Sequence, residues 1–153
     1  LSERYLVLQK SLHPDNFVTA DAQEQRIAMQ KSTEVNDALK TLKDPILRAE
    51  AIIALNTGEA QDLEQKSTQD VTFLMQQLEW REELENIEQS QDENALESFA
   101  KRVKKETKEM LTALEAQLNE QQWSTAAQFC DKLRFLKKLA DEISQVEERL
   151  FEL

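Results

Sequence analysis

The sequence predicts an all-α protein, and three observations carry that prediction. Its 153 residues hold one glycine and two prolines, against a usual glycine share of about 7%. Leu, Glu, Lys, Gln and Ala, the residues that favour helices, dominate the rest. Apolar side chains recur at three- and four-residue spacing, as helices that bury one face require.

Taken in order, Leu1, Tyr5, Leu8 and Leu12 mark a first helix that ends near Leu12, because Pro14 disfavours helical geometry at His13. A second helix spans about 22 to 43, with Ala28, Ser32, Val35, Leu39 and Leu42 on one stripe. Asp44-Pro45 reads as an N-cap followed by proline at the first helical position, where its missing N–H costs nothing. The third helix therefore starts at Pro45, and Gly58 is its natural stop. Residues 1–57 then form one small helical unit, and the polar run over 58–70 a linker. Residues 71–153 hold three longer helices, expected over about 69–89, 92–121 and 124–153. The second carries Leu96, Phe99, Val103, Met110, Leu114 and Leu118 as a stripe. The third carries Phe129, Leu133, Leu136, Ala140, Ile143 and Leu150. Three amphipathic helices with short connections imply an elongated antiparallel bundle.

Charge and side-chain chemistry exclude several functions. With 30 acidic residues against 19 basic, the formal net charge is −11. Such a surface repels phosphate backbones, so no nucleic-acid partner is expected. No apolar run is long enough to cross a membrane. One histidine and one cysteine leave zinc without a ligand set, and no nucleophile has an orienting partner, so neither metal, cofactor nor catalysis is expected. Cys130 cannot form an internal disulfide, and the absence of a signal-peptide pattern suggests a reducing, intracellular compartment. The sequence opens at Leu1 without an initiator Met, so residues ahead of it are expected.

His13-Pro14-Asp15 is the sharpest local feature. On average residue usage it arises by chance in roughly one such chain in a hundred. By itself it fits a helix stop with a loop aspartate as well as a functional loop.

Its context decides more. Tyr5-x-x-Leu8-x-x-x-Leu12-His13-Pro14-Asp15 resembles the second helix and loop of J-domains. Downstream, residues 36–48 are similar to the N-x-A-x-x-x-L-x-D-P-x-x-R segment of that family, from Asn36 through Asp44-Pro45 to Arg48. The resemblance to the HscB family, the J-proteins of iron–sulfur cluster assembly, is closer still. It continues through FLMQQLEWREEL at 73–84, LESFAKRVKK at 96–105 and KLRFL at 132–136. It implies a J-domain whose first helix would lie ahead of Leu1, followed by the C-terminal bundle. It also implies two partners. An HscA-like, DnaK-type chaperone ATPase would be met by His13, Pro14, Asp15, Arg4 and Lys10. An IscU-like iron–sulfur scaffold would be met by Leu74, Met75, Leu78, Glu79, Glu82 and Phe135. Asn86 departs from the pattern, since the family can carry an acid there. Of the compartments open to such a protein, bacterial cytoplasm and mitochondrial matrix, the first is expected. A general J-protein, or a helical adaptor with no ATPase link, remains as an alternative.

The residues give separate support in the segment from Val71 to Ile87. At about 100° per residue, Val71, Leu74, Met75 and Leu78 fall on one side, and Phe73, Trp80, Leu84 and Ile87 on the other. A bundle helix needs only one apolar stripe. The extra one either packs on another part of the chain or is an exposed patch, edged by Glu79 and Glu82. Phe135, at the margin of its own stripe, fits core or contact. Lys101, Arg102, Lys104 and Lys105 form a basic cluster expected to pair with neighbouring glutamates.

Overall fold

A computed structural model describes residues 1–18, 20–58 and 70–151. Among them are six α-helices and one 3₁₀ turn: α1 (Ser2–Leu12), the turn (Pro14–Phe17), α2 (Ala22–Lys43), α3 (Pro45–Thr57), α4 (Val71–Ser90), α5 (Glu93–Asn119) and α6 (Trp123–Phe151). The all-α class is as the sequence predicts, and the helix ends lie within two residues of expectation. Most of the expected linker, residues 59–69, lies outside the described residues. The chain divides into two compact units, Leu1–Arg48 and Ala49–Leu153, so the division falls inside α3.

The first unit is an antiparallel pair, α1 against α2, with the turn between them. Polar side chains hold the pair. Tyr5 Oη donates to Asn36 Oδ1 at 2.6 Å, and Gln9 Nε2 donates to the same oxygen at 2.7 Å. Gln9 Nε2 also donates to the Ser32 carbonyl at 3.1 Å, and Ser32 Oγ donates to Gln9 Oε1 at 2.9 Å. α1 buries no residue completely, and α2 buries only Ala28 and Ser32. At the far end of α2, Asp44 Oδ1 accepts from the backbone N–H groups of Ile46 (2.8 Å) and Leu47 (3.1 Å). This is the capping that Asp44-Pro45 predicts. α3 ends at Gly58, whose φ of +70° is the left-handed stop that glycine adopts without strain.

The second unit contains an antiparallel bundle of α4, α5 and α6. Asp70 and Asp92 cap α4 and α5 through their side chains, accepting from Phe73 and Ala95 N–H. Gln91 and Gln121 take positive φ at the two tight connections, where a glycine-poor sequence has no easier residue to place. The core joins Leu84 and Ile87 of α4 to Leu96, Phe99 and Val103 of α5 and to Leu136, Leu139, Ile143 and Val146 of α6. Leu139, fully buried, replaces the expected Ala140, which is exposed. Both positions suit a helical stripe, but the bundle interior lies on the Leu139 side. Arg134 reaches from α6 to Glu50 of α3 and to Asp131, one turn back.

Candidate functional site

The first candidate site is the loop after α1. His13 caps the turn: its Nδ1 accepts from the Asp15 backbone N–H at 3.2 Å, and the Asn16 N–H donates to the His13 carbonyl at 3.0 Å. Asp15 Oδ2 lies 3.4 Å from the same Nδ1 and becomes an ion-pair partner only when the ring is protonated. The Asp15 side chain is 86% exposed, so its carboxylate is presented outward.

Two side chains fasten this loop to its helices. Asn16 Nδ2 donates to the Lys10 carbonyl at the end of α1. Gln25 Nε2 on α2 faces the carbonyls of Phe17 (3.0 Å), Val18 (3.1 Å) and Ala20 (3.3 Å), sharing two hydrogens among three acceptors. Pro14 opens the turn, and Lys10 stands at its entrance. Arg4 lies six residues earlier on α1, about 9 Å along the axis. Both cations are exposed.

The structure also explains why two sequence segments belong together. Asn36 opens the second one and is the acceptor for both Tyr5 and Gln9 from the first. Sequence reading missed Gln9 and Gln25. The spacing of Gln9, four residues after Tyr5, was the available signal, but a polar residue on a helix is ordinarily read as solvated.

The second candidate site is the outer face of α4. Phe73, Leu84 and Ile87 are buried and Trp80 is half-buried, with its ring 5.8 Å from that of Phe99. The opposite side is open: Leu74 is 37% exposed, Met75 57%, Leu78 67% and Val71 66%. Glu79 and Glu82, also exposed, follow Met75 and Leu78 by four residues and so border them. Exposed apolar side chains grouped on one helix with an acidic edge have the anatomy of a protein-binding surface.

Phe135 stands on α6 beside this helix. Its ring meets that of Phe73 edge-on, with centroids 6.0 Å apart, and the Arg81 guanidinium lies 5.7 Å from its centroid. Arg81 in turn reaches Glu142 at 3.2 Å. Phe135 is half-buried. It is anchored in the bundle on one side and lines a groove with Gln77 and Arg81 on the other. Those two residues follow Leu74 and Leu78 by three positions, so Phe135 faces the flank of the same apolar patch.

Cys130 is fully buried. Burial above all, then the Glu50 carboxylate, pushes its thiol up from 9.0 to about 12. It is therefore a protonated, inaccessible thiol at neutral pH, and no nucleophile. Among the described residues no group of His, Cys, Asp and Glu could hold a metal ion. No described helix is long and apolar enough to cross a membrane. Lys101 pairs with Glu97 at 3.2 Å, Arg102 with Glu83, and Lys105 with Glu109 at 4.0 Å. Three of the four cations in the cluster are thus paired, as expected, and Lys104 has no ion-pair partner among the described residues.

Comparisons with known proteins agree with this architecture. The family model described as the HSCB C-terminal oligomerisation domain matches residues 69–144. The co-chaperone protein HscB homolog of Haemophilus influenzae is 71% identical over 153 residues, spanning 100% of this chain and 88% of that protein. The homolog of Pasteurella multocida is 58% identical over 152 residues, with 99% and 88% covered. Chaperone HscB from Vibrio cholerae superposes with a TM-score of 0.93 at 41% identity, over 98% of this chain and 89% of that one. The human co-chaperone protein HscB gives a TM-score of 0.83 at 26% identity, over 99% and 74%. The chain belongs to the HscB family of J-domain co-chaperones.

Proposed function

We propose that this protein couples an IscU-like iron–sulfur scaffold to an HscA-like, DnaK-type chaperone, stimulating the chaperone's ATPase without catalysing a reaction of its own. The observation that carries this reading is the outer face of α4, where Leu74, Met75 and Leu78 stay exposed beside Glu79 and Glu82. Burying three such side chains against a partner is worth about 1.5–3 kcal/mol each where burial is complete. The carboxylates add selectivity for a partner with a basic rim. Phe135 supplies an aromatic anchor already held in place by Phe73 and Arg81.

In the same reading, residues 1–57 act as a J-domain, 58–70 as a linker and 71–153 as the scaffold-binding bundle. Asp15 is the reacting group of the loop only in the sense of contact: its carboxylate meets the chaperone, with His13 and Pro14 shaping the turn. Arg4 and Lys10 are the cations on α1 that an acidic ATPase surface would meet. A thin basic face of this kind suits one dedicated chaperone better than several. Holding both partners on one chain raises the effective concentration of scaffold at the chaperone. The high identity to bacterial relatives supports bacterial cytoplasm as the place of action.

The reading is tested by calorimetric titration of folded scaffold, and separately of a denatured polypeptide, into the wild type and into Leu74→Ala/Leu78→Ala. Folded scaffold should bind the wild type alone, and denatured polypeptide neither. Tight binding of denatured polypeptide at this face would instead make the protein a general J-protein.

A further inference from the structure

A second surface lies on the bundle, away from α4. A groove of about 540 Å³ runs between α5 and α6, and every residue lining it belongs to those two helices. Val103 and Ile143, both core residues, form its floor. Ala100, Thr107 and Leu111 on α5 and Ala140 and Ser144 on α6 make the walls, so the lining is chiefly apolar. From Ala100 to Leu111 it extends about 16 Å at the rise of an α-helix. In a three-helix bundle one side of the α5/α6 pair is covered by α4. This groove is the other side, the place a fourth helix takes in a four-helix bundle.

The charges on its rim are specific. Lys104 and Lys108 stand one turn apart on the α5 wall, and neither has an ion-pair partner among the described residues. Their neighbours Lys101 and Lys105 are matched to Glu97 and Glu109. Glu147 stands on the α6 wall, beside Ser144. The groove is therefore apolar along its length, with two unmatched cations on one edge and an anion on the other.

We propose that this groove is a docking site for an acidic amphipathic helix of another protein. Its apolar face would rest on Val103 and Ile143, with two carboxylates spaced by four residues against Lys104 and Lys108. A basic or amide side chain on its opposite edge would meet Glu147, which fixes the direction of the bound helix. A second copy of this chain is the competing occupant, which sedimentation distinguishes from a helix of another protein. The site is independent of the scaffold-binding reading, since it shares no residue with the outer face of α4.

The test uses the full chain and stapled peptides of about 14 residues, since unstapled helices of that length are marginal in water. One peptide carries an apolar face with two glutamates on one edge and lysine on the other; its counterpart exchanges the charges. Calorimetry should show the first binding one-to-one, about tenfold more tightly than the second. Lys104→Glu/Lys108→Glu should reverse that order. Ser144→Phe, at an exposed position that would fill the groove, should abolish both, and Leu74→Ala/Leu78→Ala should change neither. The proposal is overturned if Lys104→Glu/Lys108→Glu leaves the preference unchanged, or if neither peptide binds. It is equally overturned if dodecanoate binds there while the peptides do not, or if sedimentation shows self-association that Lys104→Glu/Lys108→Glu removes.

Discussion

The two units are held together by different forces. In the first, α1 buries no residue completely, and its hold on α2 is a set of side-chain hydrogen bonds centred on Gln9, Ser32 and Asn36. In the second, nine buried apolar side chains from three helices interlock in one core. Hydrogen bonds of the first kind each contribute about 0.5–1.5 kcal/mol net, whereas large core side chains contribute several times that. Among the described residues, the α1/α2 pair is thus joined mainly through polar contacts and the bundle through apolar packing. On the proposed function, the polar pair would carry the loop that meets the ATPase, and the packed bundle the face that meets the scaffold.

The largest expected effect lies in the bundle. Phe99→Ala or Leu139→Ala should cost about 3–5 kcal/mol, seen as an earlier midpoint in chemical denaturation followed by helicity. A loss below about 1 kcal/mol would show that the bundle core is not the stabilising element.

Next comes the polar contact. Gln9→Ala should cost about 1–2 kcal/mol, since it leaves Ser32 and part of Asn36 without partners. Hydrogen exchange should quicken in α1 and the loop and stay unchanged in α5 and α6. Equal acceleration in both units would remove the distinction drawn between them.

Leu74→Ala/Leu78→Ala should cost only about 1 kcal/mol of stability, chiefly from Leu74, which is 37% exposed against 67% for Leu78. Scaffold affinity should nonetheless fall by about tenfold or more. A large stability loss without an affinity loss would make this face structural.

The smallest effect concerns Cys130. A thiol whose folded value is raised binds its proton more tightly in the folded state. Its contribution to stability is therefore complete below pH 9.0 and is lost as the pH climbs toward about 12. At pH 8 a thiol reagent should react only as fast as the bundle opens, and denaturant should release the reaction. Rapid labelling of the folded protein at that pH would contradict this burial.

Much of this was legible in the sequence because it rests on local rules. Asp44-Pro45 and Gly58 mark helix ends by their own local chemistry, and the structure places ends there. The two-faced character of α4 was also readable, since helical period alone separates Phe73 from Leu74. What period could not say was which face meets the bundle interior, or whether the other is covered. Ala140 and Leu139 show the same limit, for both fit a stripe and only the neighbouring helix decides between them. Gln9 and Gln25 were silent because a glutamine declares a partner only once the opposing helix is in place. Lys104, without an ion-pair partner among the described residues, was hidden inside a cluster whose other members are paired, and Lys108 lay outside that cluster.

On the proposed function, one chain joins a chaperone-contacting loop to a separate scaffold-binding face. That coupling is tested most directly by measuring turnover of the HscA-like ATPase with and without the IscU-like scaffold, for the wild type, Asp15→Asn and Leu74→Ala/Leu78→Ala. Wild type with scaffold should stimulate more than the two added separately. Asp15→Asn should lose all stimulation, and the paired variant only the scaffold-dependent part. Additive stimulation by wild type and scaffold, or an Asp15→Asn protein that still stimulates fully, would contradict that coupling.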